Sequence, residues 1–146
     1  MQKFPHHYRI AARAEPEGDV DVGAQALSTL ATASPAEFGG PGDRWSPETL
    51  LVAAVADCFV LSFRAVAAAS KLAWQRVECE VEGILDRQEG CTRFTTFEVK
   101  AKLSIPSTTP TDKAQSTLEK AKSICLISNS LSGTTHLVTE ITTLTD

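Results

Sequence analysis

The sequence predicts an α+β fold, and three observations carry that expectation: one long apolar helix, two strands of strict alternation, and a second, amphipathic helix followed by a closing strand. The stretch from Trp45 to Ser70, WSPETLLVAAVADCFVLSFRAVAAAS, organises the rest. Ser46 suits a helix cap, Pro47 the first helical position and Glu48 the positive end of the helix dipole. From Leu50 to Ala69 the residues are apolar on every side except at Asp57, Cys58, Ser62 and Arg64, which predicts a long central helix enclosed by protein. Asp57 and Arg64 lie near its middle and much of the remainder is alanine, so a buried helix is expected and not a membrane span. Burial would then hide the two charges by a shared side, seven residues apart, or by a polar cavity.

Before this helix, residues 8 to 14 (YRIAARA) are strand-like, EPEGD at 15 to 19 is a turn, and VDVGAQALSTLATA holds one or two further strands. Pro35 and the run Gly39-Gly40-Pro41-Gly42-Asp43 break regular structure and deliver the chain to the Ser46 cap. That run lacks the lysine of a phosphate loop. After the helix, WQRVECEVEGIL at 74 to 85 alternates Val77, Cys79 and Val81 against Glu78, Glu80 and Glu82, the pattern of a half-buried strand with Cys79 inward as a small hydrophobe. DRQEGCTR is a hairpin turn with Cys91 as a bystander, and residues 93 to 106 form the second strand, with Phe97, Val99, Ala101, Leu103 and Ile105 on one face. Thr111 or Asp112, with Gln115, resembles a capping box for the helix DKAQSTLEKAKSIC. Its Ala114, Leu118, Ala121 and Cys125 share one face. Ser128 to Thr135 is a polar turn, and HLVTEITTL closes the chain as a strand.

A length of 146 residues predicts a single domain, 1–146. A net charge of -4 without acidic or basic runs argues against nucleic acid or an anionic membrane as partner. The N-terminal stretch carries no long apolar core of a secretion signal, which leads to a cytoplasmic expectation. Cys58, Cys79, Cys91 and Cys125 stand 21, 12 and 34 residues apart, without the close spacing of a zinc knuckle or a thioredoxin-type site. No bound metal or cofactor is therefore expected. Metal binding by His6, His7 and a cysteine is disfavoured for the same lack of ligand spacing.

Two cysteines that point inward from helices, Cys58 and Cys125, can do chemistry or merely pack. A peroxide-reducing thiol needs a thiolate, a cation or donors that favour it, and a second thiol to resolve the sulfenic acid, and Cys58, Arg44 and Cys125 supply such a set. The pattern FGGPGDRWSPETLLVAAVADCF, followed some 60 residues later by LEKAKSICLISNSL, resembles the OsmC/Ohr family of osmotically inducible and organic hydroperoxide resistance proteins. The shared motifs are a Pro-Glu helix start, a cysteine ten residues after that glutamate, and a second cysteine at the end of a later helix before a Ser-rich turn.

The resemblance implies an OsmC-like fold: curved antiparallel sheets packed on two helices, intertwined as a homodimer with the active sites at the interface. It implies Cys58 as peroxidatic cysteine, Cys125 as resolving cysteine and Glu48 as the carboxylate that orients an active-site arginine. Arg44 is the first choice for that arginine because it lies one turn from Glu48, with Arg13 and Arg9 as alternatives. Ten helical residues rise about 15 Å, so Glu48 would serve the Cys58 of a second copy. Asp57 would raise the Cys58 pKa only if it faced the sulfur, and adjacent helical side chains diverge by about 100°.

The implied function is a cysteine-based peroxidase for alkyl or lipid hydroperoxides in oxidative-stress defence, reset by an external dithiol, with an apolar lining expected from Leu51, Phe59 and Phe63. A dimeric binding or stress-associated module without peroxidase turnover is the alternative.

Overall fold

Strict alternation makes a sheet of the chain's second half. In this computed structural model, which describes residues 1–144, β4 (Arg76–Gln88) and β5 (Cys91–Pro106) form a long antiparallel hairpin. Glu89 and Gly90, both with positive φ, make its two-residue turn. The alternating apolar residues of β5, Phe97, Val99, Ala101, Leu103 and Ile105, are all buried. Opposite them on β4 lie Val77, Cys79, Val81 and Gly83, half-buried, with the glutamates between them exposed. Cys91 opens β5 at the turn and is exposed.

The helix α2 (Thr111–Ile124) then crosses over, and β6 (Thr134–Leu144) returns to pair with β5. That pairing is parallel, whereas the family resemblance implied antiparallel strands throughout. The reason is the helix between them: a strand, a crossover helix and a neighbouring strand produce parallel partners. The sheet order is β4-β5-β6. The α+β class stands.

The chain divides into two compact units, Met1–Leu51 and Val52–Asp146. The first holds a small antiparallel sheet in the order β1-β2-β3, from β1 (Ala11–Arg13), β2 (Val20–Gly23) and β3 (Leu30–Thr32). A 3-10 turn at Ala36–Phe38 follows. In the glycine-rich loop after it the Gly40 backbone lies so close to the Ser34 carbonyl that any Cβ would collide with it. Trp45 bridges back to Thr32, and the Trp45 carbonyl accepts from the Ala33 N–H at 3.0 Å, which fixes the approach to the next helix.

That helix is α1 (Pro47–Ala69). Ser46 caps it as the sequence predicts. Its hydroxyl accepts from the Thr49 N–H at 3.1 Å, and Thr49 Oγ1 accepts from the Ser46 N–H at 2.8 Å, a reciprocal capping box with a threonine in the usual Glu position. The α2 start differs from expectation. Pro110, in extended conformation, takes the cap position with no side-chain cap bond, so the helix begins at Thr111. Asp112 Oδ1 accepts from its neighbour's N–H, and Gln115 is drawn away to Glu119 and Thr139.

Burial of α1 corrects a second expectation. Only Val55, Phe59, Phe63 and Ala67, four apart and on one stripe, are buried; Leu61 is 52% exposed, and Asp57 and Arg64 both face solvent. Within a single chain the helix is covered along one side. The two charges therefore need neither a shared side nor a polar cavity. The stripe, the inward face of β5, and Ala114, Leu118 and Ala121 of α2 supply the core of the second unit. Phe63 meets Trp74 edge-on at 5.2 Å, and α1 approaches the sheet so closely at Gly83 that a Cβ there would lie 2.6 Å from Val52 Cγ2.

Candidate active site

Two helix positions bring two thiols together. Cys58 sits in the middle of α1, half-buried, one residue before the buried Phe59 of the core stripe. The adjacent Asp57 points to solvent, which follows from the roughly 100° step between neighbouring helical side chains. Cys125 ends α2 and precedes the short helix α3 (Leu126–Asn129); its backbone is extended at the junction and its side chain is 1% exposed. It continues the α2 face of Ala114, Leu118 and Ala121, all fully buried, as the sequence predicts. Cys58 lies near enough to Cys125 to act on its titration, and both thiols are free.

Opposing influences act on Cys125. Burial pushes its pKa up, because a desolvated thiolate is costly, and the neighbouring Cys58 sulfur adds to the rise. Ser128 opposes both: its hydroxyl donates to Cys125 Sγ at 3.2 Å, and its backbone N–H also favours the charged sulfur. Sequence reasoning placed Ser128 only in a polar turn. The signal available was its spacing, three residues after the cysteine, which a helical turn brings within reach.

Cys79, on the inward face of β4, is pushed up to about 11, first by burial, then by Cys125 and Glu80. It stays protonated at neutral pH and packs, as its place in the alternation predicts.

The charged residues lie in the first unit. Arg44 donates from Nε to Asp19 Oδ2 at 3.0 Å, and its NH1 lies 3.2 Å from Asp43 Oδ2. These partners raise its already high pKa, the Asp19 hydrogen bond most. Arg44 thus engages two aspartates and not Glu48. Glu48 Oε2 is buried with no hydrogen-bond partner among the described residues. The alternative arginines, Arg9 and Arg13, line an open groove of about 470 Å³ on the first sheet, together with Asp21 and Gln25.

Phe59 and Phe63, expected to line a substrate pocket, are instead fully buried in the core, 1% and 0% exposed. Close to the two cysteines in sequence, the large apolar side chains Leu61, Ile124 and Leu126 are exposed. No cluster of three or more potential metal ligands occurs among the described residues.

Comparison with known proteins fits this arrangement. Over 140 residues the chain is 27% identical to the uncharacterized protein YmaD of Bacillus subtilis, covering 92% of this chain and 93% of that one. An OsmC-like protein of unknown function from Vibrio cholerae superposes with a TM-score of 0.82 at 18% identity, over 94% of this chain and all of that one. A crystal structure described as an organic hydroperoxide resistance protein OsmC, from Legionella pneumophila, gives a TM-score of 0.69 at 25% identity, over 96% and 99% of the two chains. Residues 40–140, which include both thiols, Arg44 and Glu48, match the model of the OsmC-like protein family, and the chain belongs to that family.

Proposed function

We propose that the protein is a thiol peroxidase that reduces organic hydroperoxides, with Cys58 as the peroxidatic and Cys125 as the resolving cysteine. The observation that carries this reading is that a half-buried free thiol on α1 and a buried free thiol at the end of α2 are neighbours, Cys58 acting on the titration of Cys125. Family membership and the hydroperoxide-resistance description of the Legionella relative support it.

The Cys58 thiolate attacks the distal oxygen of the hydroperoxide, the O–O bond breaks, and the alcohol leaves after taking up a proton. Cys58 is left as the sulfenic acid. Cys125 attacks its sulfur, water departs and the disulfide closes. An external dithiol then reduces that bond and is itself oxidised. Such a donor belongs to a reducing compartment, which fits a cytoplasmic protein that acts in oxidative-stress defence.

Glu48 receives an arginine in the working assembly. A buried carboxylate oxygen without a donor is costly, and a guanidinium relieves that cost bidentately. Because Arg44 is engaged by Asp19 and Asp43, Arg13 and Arg9 take the role ahead of it. A homodimer completes the site: the exposed side of α1, with Leu61, is covered by a second copy. Exposed Ile124 and Leu126 favour an alkyl substrate over hydrogen peroxide, since apolar surface gains little from a small polar ligand.

The test is peroxide consumption by the reduced protein with a dithiol, using cumene hydroperoxide and hydrogen peroxide in parallel. Turnover of the organic peroxide is expected in the native chain and absent in Cys58→Ser. Untouched peroxide with all thiols still reduced would leave a binding module as the surviving account.

A further inference from the structure

Every group that touches Cys125 bears on how easily it becomes a nucleophile and how easily it leaves. Its side chain is 1% exposed, so water does not solvate a charge on its sulfur. The described side-chain donor to that sulfur is the Ser128 hydroxyl, at 3.2 Å. Ser128 is held for this by α3, whose Asn129 N–H donates to the Cys125 carbonyl at 3.0 Å and closes one turn around the cysteine. Cys58 is half-buried, the more accessible of the two residues.

We propose that Ser128 is a positioning residue for both directions of the Cys58–Cys125 disulfide: it steadies the Cys125 thiolate as it attacks and again as it departs. This deepens the peroxidase reading and rests on it. In closure, Cys125 gives up its proton, its sulfur attacks Cys58 Sγ, the S–O bond of the sulfenic acid breaks, and the departing hydroxyl takes a proton to leave as water. In reopening, the external dithiol reaches Cys58 Sγ, because Cys125 is buried, and forms a mixed disulfide there. The S–S bond breaks with its electron pair on Cys125, which receives the Ser128 hydrogen bond. The second thiol of the donor then resolves the mixed disulfide and frees Cys58 as the thiolate. Two electrons enter from the dithiol, and the donor leaves as its own disulfide.

A hydrogen bond to an ionised group is about twice as strong as a neutral one, so its loss in Ser128→Ala moves the Cys125 pKa up. Thiolate reactivity rises with basicity while thiolate population falls, with a Brønsted slope near 0.4–0.5. These two effects produce a crossing. Below both pKa values Ser128→Ala closes its disulfide roughly threefold slower than the native chain, and above both it closes roughly threefold faster. Ser128→Thr keeps the hydroxyl and follows the native profile.

The experiment oxidises reduced protein with cumene hydroperoxide, quenches at set times and follows disulfide closure against pH for the native chain, Ser128→Ala and Ser128→Thr. A parallel titration of thiolate absorbance in a Cys58→Ser, Cys79→Ala, Cys91→Ser background, where Cys125 is the one thiol left, reads the Cys125 pKa with no peroxide chemistry required. Crossed profiles together with the upward shift support the role. Superimposable profiles and an unshifted titration overturn it even if the native chain turns over peroxide. A parallel slowdown at every pH, shared by Ser128→Thr, shows a packing role and also overturns it. If the native chain forms no disulfide at all, the peroxidase reading fails separately, and the titration still decides whether Ser128 favours the Cys125 thiolate.

Discussion

Cys79 shows how a strand position sets the chemistry of a thiol. The β4 alternation turns it inward, burial raises its pKa to about 11, and Cys125 and Glu80 act in the same direction. In the unfolded chain the same thiol titrates near the ordinary value of 9.0. Between these values the folded state binds the proton that the unfolded state has lost, so stability is fully present below the lower value and declines as pH rises toward the upper one. Thermal midpoints measured from pH 8 to pH 11 are expected to fall along this limb, and Cys79→Ala is expected to flatten it. A limb of the same slope in the variant would contradict the placement of Cys79. The alternation made this inward position legible in the sequence. The Ser128 contact was not legible, because it depends on a break between α2 and α3 at Cys125 that puts a second short turn around the sulfur.

At the scale of elements, the sequence carried most of the secondary structure because its signals are local. The Ser46-Pro47-Glu48 start, the hairpin about Glu89-Gly90 and the buried face of α2 all appear where residue chemistry places them. The parallel pairing of β6 was less visible, since it follows from the crossover and not from any residue within the strand. Helix and sheet meet most closely at Gly83. A methyl group there would lie 2.6 Å from Val52 Cγ2 and 3.0 Å from Phe94 Cε1, so Gly83→Ala is expected to destabilise the chain by about 1–3 kcal/mol through overpacking. Denaturant unfolding measures this cost, and adding Val52→Ala should recover part of it. A neutral Gly83→Ala would mean that α1 stands off the sheet.

At the scale of the whole molecule, the apolar composition of α1 and its one-sided burial disagree unless something covers the other side. The sequence gives the composition, but a count of apolar residues does not say whether its own chain or another provides the cover. The proposed homodimer reconciles the two, and sedimentation of the purified protein is expected to give about twice the mass of the 15.7 kDa chain. A stable monomer with full activity would contradict it. The same assembly is proposed to bring an arginine to the buried Glu48 oxygen, which no described residue satisfies. Sequence proximity pointed to Arg44, one turn away, but two aspartates hold that side chain. Side-chain competition of this kind is not encoded in spacing.

The most direct test of the account is a map of the disulfide formed by one equivalent of cumene hydroperoxide added to the reduced protein. The account predicts loss of two thiols per chain and a single linkage between Cys58 and Cys125, with Cys125→Ser halting at the Cys58 sulfenic acid. Peroxide left intact with four reduced thiols, or a linkage that omits Cys58, would contradict it.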